Sequence, residues 1–341
     1  MANRSIVSTA VTALFLAVLI AIPTSVHSIG FCFRRLGNNL PQPSEVVDLY
    51  KSNNIERMRI YHPYQPILEA LRGSNIQVMV DVPNEDLPSL ASDASAANDW
   101  VQNYINAYPD VSFRYIAVGN EVIPGDSAAY VLPVMNNIQS ALSANGLQGQ
   151  IKVSTSVSQG VLGASYPPSH GAFTSDALQY FRPIVNFLDS NGSPLLVNVY
   201  PYFSYASNPN DIDIKYALFT SPGTVIQDGQ FGYQNLFDAI VDAVYSALEK
   251  EGGSNMEVVV SETGWPSDGG LAASVDNART YNQNLIKHVR QGTPKTSGRA
   301  VETYIFAMFN EDQKPAGIEQ KWGKWGIFYP NKQHVYPLNF N

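Results

Sequence analysis

Eight short runs rich in β-branched and aromatic residues recur along the chain, at Ile29-Phe33, Arg57-Tyr61, Ile76-Val82, Phe113-Val118, Ile151-Val157, Leu195-Tyr202, Val258-Ser261 and Thr303-Phe309. The segments between them carry apolar residues at three and four spacing, such as Val46, Val47, Leu49 and Tyr50, or Leu236, Ile240, Val244 and Leu248. Strand periodicity alternating with helix periodicity is the pattern of parallel strands joined by crossover helices. Eight such units predict a single α/β domain, a (β/α)8 TIM barrel. An open doubly wound sheet would place a glycine-rich phosphate turn after an early strand. Here the first run is followed by Arg34-Arg35-Leu36-Gly37-Asn38-Asn39, without that turn.

Residues 1–28 stand apart. Arg4 is their only charge, an apolar run spans Ala10 to Ile22, and small residues precede Ile29. The apolar run covers about 13 residues where a membrane span needs about 20, so a removable secretory signal is expected, with one domain over 29–341. The 341 residues hold 29 acids against 21 Lys and Arg, a net charge of −8, which argues against nucleic acid or an anionic membrane as partner. The single cysteine, Cys32, offers no internal disulfide, so a secreted chain of this kind must rely on a large core. No second apolar run precedes the final Asn341, so no glycolipid anchor is expected. A monomer is expected.

In a barrel of parallel strands the reacting groups collect at the C-terminal strand ends. Those ends carry Tyr61, Asp81, Asn120-Glu121, Asn198, Tyr200 to Tyr202, Glu262 and Asn310-Glu311. A lone glutamate there reads as a helix cap or a surface ion pair. Two carboxyl groups across one barrel mouth match glycosidic cleavage, which needs one protonated and one ionised. Glu121 and Glu262 are the expected pair, the acid raised by neighbouring charge and partial desolvation. Tyr200, Tyr202, Phe203, Trp265 and Phe306 are the aromatics expected to line the cleft, since sugar rings pack their C–H faces on aromatic planes. The five histidines show no metal-ligand spacing, and no G-x-S-x-G elbow is present. No cofactor or metal is expected.

The stretch Val258-Val-Val-Ser-Glu262-Thr-Gly-Trp-Pro-Ser267-Asp-Gly269 resembles the signature of glycoside hydrolase family 17, the plant β-1,3-glucanases and their β-1,3-1,4-glucanase relatives. Ile29-Gly30, Leu36-Gly-Asn-Asn-Leu-Pro41, Met58-Arg-Ile-Tyr61, Tyr115-Ile-Ala-Val-Gly-Asn-Glu121, Asn198-Val-Tyr-Pro-Tyr202 and Phe309-Asn-Glu311 extend the resemblance over 29–341. In detail the chain is similar to pathogenesis-related endo-β-1,3-glucanases of monocot type, used in plant defence. The resemblance implies a β-glucan polysaccharide substrate, Glu121 as proton donor and Glu262 as nucleophile of a retaining mechanism. It further implies that Asn120 binds the sugar 2-hydroxyl, that the Tyr200 hydroxyl holds the nucleophile, and that Tyr61, Asn198, Glu311, Lys314 and Glu319 support the cleft. Mixed-linkage glucan is the alternative substrate, and a carbohydrate-binding protein on the same scaffold is the alternative of another class.

Three departures from the family pattern stand out. Cys32-Phe33-Arg34 replaces the usual Cys-Tyr-Gly, the interval from Lys314 to Glu319 is one residue short, and Lys321-Trp-Gly-Lys-Trp-Gly326 looks like a three-residue duplication. The family's vacuolar members extend past the final Asn-Phe, so an extracellular, apoplastic protein is expected. Asn191-Gly-Ser193 is a candidate glycosylation acceptor, expected in a loop.

Overall fold

A computed structural model describes residues 29–313 and 324–340. The expected signal segment, Lys314, Glu319 and the first part of the 321–326 duplication lie outside the described residues. Eight parallel strands close into a barrel: β1 (Ile29–Phe33), β2 (Arg57–Ile60), β3 (Gln77–Val82), β4 (Ser112–Asn120), β5 (Lys152–Ser158), β6 (Leu195–Asn198), β7 (Val258–Thr263) and β8 (Thr303–Ile305). Each strand pairs with its neighbours in sequence, and β1 closes on β8 with Ile29 opposite Thr303. The eight-unit reading therefore holds.

The helices start and stop where the sequence offers caps. Asn235, Thr174 and Ser274 each accept a backbone N–H of the first turn of Leu236–Lys250, Ser175–Asn191 and Val275–His288. Gly192, in the left-handed region at φ 56°, ends the second of these. Ile240, Val244 and Leu248 bury one stripe against the strands, as Val46, Val47 and Tyr50 do in Pro43–Ser52. Strand residues are buried on both faces, helices outside and side chains within, which is why they read as near-continuous apolar runs.

Two expected strands are shorter in the structure. The run Leu195-Tyr202 leaves the sheet after Asn198, because Pro201 occupies the first turn of a helix over Pro201–Ser207. The run Thr303-Phe309 leaves it after Ile305. Two small antiparallel hairpins, Leu162–Ala164 with Ala172–Phe173 and Ile226–Asp228 with Phe231–Tyr233, fill the connections after β5 and β6. Ser169 joins these connections by donating its N–H and hydroxyl to Asp228 at 2.7 and 2.8 Å. Asn191 is the last residue of its helix rather than a loop residue. Its amide nitrogen, the atom a glycan would occupy, donates to Phe187 O at 2.8 Å. Among the described residues no helix is long and apolar enough to cross a membrane.

Candidate active site

The two glutamates are aimed by irregularities in their strands. In β7 the pairing with β6 shifts register between Val260 and Glu262, so Glu262 stands opposite Asn198. Such a bulge breaks the period-two alternation and re-aims a side chain. As a result Ser261 and Glu262 both serve the barrel interior. Ser261 Oγ donates to Asn198 Oδ1 at 2.8 Å and the Glu262 carboxylate lies beside it. In β4 the pairing with β5 shifts between Ala117 and Asn120. There Gly119 has φ 73°, and an added Cβ would meet Val122 Cγ2 at 2.7 Å, so only glycine fits. Glu121 follows at φ 54°, a left-handed conformation that an acidic residue adopts at a cost of about 1 kcal/mol or more, held by its N–H donating to Ser156 O at 2.8 Å.

The Glu262 side chain is 7 % exposed and receives three donors. Tyr61 OH reaches Oε1 at 2.7 Å, Tyr200 OH reaches Oε2 at 2.7 Å, and Arg59 Nη1 reaches Oε1 at 3.1 Å. Burial, followed by nearby charges that include Glu262, pushes both tyrosine hydroxyls well above their ordinary range, so both are protonated donors. Three donors on two oxygens fix the orientation of the carboxylate.

Arg59 is the centre of the site and was missed as a functional residue in the sequence, where it appeared only inside the Arg57-Tyr61 run. It is fully buried at 0 % exposure, with Asp81 on one side and Glu262 on the other. Burial opposes its charge, but Asp81, Tyr61 and Glu262 outweigh that and hold the guanidinium firmly protonated. Its fork donates Nε and Nη2 to Asp81 at 3.2 and 2.7 Å, Nη2 to Asn120 Oδ1 at 2.8 Å, and Nη1 to Asn198 Oδ1 at 3.2 Å and Ser261 O at 3.1 Å. Five fixed donors on a planar group suit it to tie four strand ends together. Burial pushes Asp81 up to about 6, against the downward pull of Arg59.

Asn198 connects Glu121 to Arg59, and through Arg59 to Glu262. Its Nδ2 donates to Glu121 Oε1 at 2.8 Å and to Asn120 Oδ1 at 3.1 Å. Asn84 clamps the Asn120 backbone from both sides, accepting its N–H at 2.8 Å and donating to its carbonyl at 3.0 Å. The Asn120 side-chain oxygen, Oδ1, is taken by Arg59 and Asn198, which leaves its Nδ2 as the donor available to the cleft. Glu121 is exposed, so the desolvation expected of an acid is not supplied by the protein alone.

Two aromatics expected in the cleft lie elsewhere. Trp265 and Tyr202 are both 0 % exposed. They pack edge to face at 5.0 Å, and Trp265 Nε1 donates to Ala272 O at 2.9 Å. They form the wall behind the site, because the chain leaves β7 through Gly264, where a Cβ would lie 2.4 Å from Phe306 O and hold the strands apart. The ring that joins wall to site is Trp325, from the 321–326 duplication. It makes edge and tilted contacts with Tyr200, Tyr202, Phe203 and Phe306 at 5.4 to 6.2 Å. Phe203 is half-buried, and Phe306 is buried with an edge contact to Tyr61 at 6.4 Å. Glu311 Oε1 accepts Leu36 N–H at 2.8 Å and ties the connection after β1 to that after β8. Among the described residues no group of three His, Cys, Asp or Glu side chains is arranged to hold a metal ion.

A carboxylate fixed by three donors, a second carboxylate joined to it through Asn198 and Arg59, and an aromatic wall make a site suited to acid and nucleophile work on a sugar. The family model for glycosyl hydrolases family 17 matches residues 29–340. The chain belongs to that family. It is a glycoside hydrolase. A glucan endo-1,3-beta-glucosidase of Vitis vinifera is 57 % identical over 329 residues, 95 % of each chain. Lichenase-2 of Hordeum vulgare is 54 % identical over 318 residues, 93 % of this chain and all of the barley one. A solved structure described as one of two plant beta-glucan endohydrolases with distinct substrate specificities superposes with a TM-score of 0.87 at 54 % identity, covering 91 % of this chain and all of that one.

Proposed function

We propose that this hydrolase cleaves internal β-1,3-glucosidic bonds of β-1,3-glucans by a retaining double displacement. The observation that carries the reading is the Glu262 carboxylate, buried and fixed in one orientation by Tyr61, Tyr200 and Arg59, as a nucleophile needs. Glu262 attacks the anomeric carbon and displaces the glucosyl oxygen, which takes the Glu121 proton as it leaves. Glu121, now ionised, removes a proton from water as that water attacks the glycosyl-enzyme bond, and Glu262 is released. The bound glucan covers Glu121 and excludes water from around it during proton transfer. Asn120 Nδ2 is placed to donate to the 2-hydroxyl of the sugar being transferred, and a retaining pair calls for carboxyl groups about 5 Å apart.

The linkage reading leans on the grape relative, named a glucan endo-1,3-beta-glucosidase, whereas the barley relative, named a lichenase, favours mixed-linkage glucan. Reducing-sugar release from laminarin and from barley β-glucan separates them. Faster release from laminarin is expected. Activity on barley glucan with none on laminarin would overturn the β-1,3 assignment.

We also propose that residues 1–28 are a secretory leader and that the protein acts outside the cell. Protein collected from the medium of a secreting plant or yeast host is expected to begin at or near Ile29. Retention of Met1 in secreted material, or retention of the protein in the cell, would sink that reading.

A further inference from the structure

The end of the cleft formed after β1 and β2 carries two guanidinium groups that a neutral glucan does not need, in a cavity that also holds the carboxylates of Asp81, Glu85 and Glu121. The Arg35 guanidinium sits over the Tyr64 ring, its carbon 3.4 Å from the ring centroid, and its Nη1 donates to His62 Nε2 at 3.4 Å. A guanidinium held over a ring and by one hydrogen bond loses little freedom when its other N–H groups bind a planar anion. Burial and the neighbouring Arg35 hold His62 below its ordinary range, so the imidazole stays neutral and accepts that bond. Among the described residues Arg35 has no carboxylate partner, although the chain holds 29 acids to 21 bases. Arg34 adds a second guanidinium to the same end, 6.0 Å from the Tyr61 ring, where the resembled pattern has glycine. Arg34, Arg35, His62 and Tyr64 line one cavity of 520 Å³ together with Asn120 and Glu121. A group bound there would belong to the sugar chain being cut.

We infer that this end of the cleft is a carboxylate-binding subsite, used when the β-glucan carries an acidic sugar or acidic substituent a few units from the scissile bond. The inference rests on the glucan-hydrolase reading above. A carboxylate matches the Arg35 fork in shape and charge and accepts two parallel N–H bonds. Glu85, which lines the same cavity and acts on His62, opposes an incoming anion and sets the limit of the preference.

The test compares laminarin and barley β-glucan, each neutral and lightly carboxymethylated, and reads the ratio of kcat/KM on the charged to that on the neutral form. In the wild type that ratio is expected to fall as salt rises from 20 to 500 mM, because an exposed pair is screened. Arg35→Gln is expected to lower the ratio about threefold at low salt, and Glu85→Gln to raise it by a similar factor. A ratio insensitive to salt, or changed alike by both variants, overturns the subsite. Cleavage of neutral polymer with no such ratio change rejects this inference alone, and cleavage of neither polymer rejects the glucan-hydrolase reading and this one with it.

Discussion

Glu262→Gln is expected to lower kcat by about 10³-fold or more while the protein still folds, because the substitution removes the nucleophile and keeps its volume. Tyr61 and Arg59 both donate to Oε1 and Tyr200 alone donates to Oε2. A glutamine can keep its single acceptor where two donors converge and turn its Nε2 toward Tyr200, whose hydroxyl rotates to accept. Arg59 retains Asp81 as a counter-ion, so the loss of stability is modest beside the loss of rate. Azide then separates the two glutamates by stereochemistry. With Glu262→Gly, azide attacks an activated β-glucoside directly and gives the inverted α-glucosyl azide. With Glu121→Gly, the glycosyl-enzyme still forms on Glu262 and azide gives the β-azide. Activity of Glu262→Gln within about tenfold of the wild type, or the opposite anomers, would remove the assigned roles.

Why the glutamates were legible while their setting was not follows from period. An acid closing the run Val258-Val259-Val260 breaks the apolar pattern of a buried strand, and the same holds for Glu121 after Ala117-Val118. That contradiction in polarity is visible in a single sequence. The bulges that turn those acids into the barrel are not, since a one-residue shift in pairing leaves no compositional mark except at Gly119. The alternation of runs was enough to specify eight strands and their closure. It over-extended β6 because Tyr200 and Tyr202 have strand-like character, and the Pro201 between them, which starts a helix, was read as part of the run.

Two of the five aromatics, Trp265 and Tyr202, are buried behind the site for a related reason. Trp265 was placed in the cleft by counting onward from Glu262, but beyond the bulge and Gly264 the chain packs against β8 and carries the indole into the core. Trp325, far from any strand in sequence, took the position beside Tyr200 instead. Arg59 was overlooked because a cation inside a strand normally marks a solvated edge or a pair. Its partners Asp81, Asn120, Asn198 and Glu262 lie on four other segments of the chain, and only barrel closure brings them together.

Removing that cation is therefore expected to have the second large effect. Arg59→Met leaves Asp81 and Glu262 buried with no opposite charge, which costs about 3 to 5 kcal/mol, or roughly 10 °C in Tm. The sign of its pH dependence is fixed by Asp81. In the wild type burial already raises this carboxyl to about 6, with Arg59 pulling the other way, and the variant raises it further. A carboxyl whose folded pKa exceeds its unfolded value of about 4 favours the fold below that value and loses the contribution as pH rises through the folded pKa. The Tm deficit of Arg59→Met should thus be smaller at pH 4.5 than at pH 7.5. Glu262 loses the same cation, a donor that orients it, so kcat should fall by about tenfold or more while KM changes little. Arg59→Lys keeps the charge without the fork and should recover most of the stability but less of the rate. A fall in Tm with kcat unchanged would make Arg59 a purely structural tie between strands, and would deny it the part of orienting Glu262 for attack.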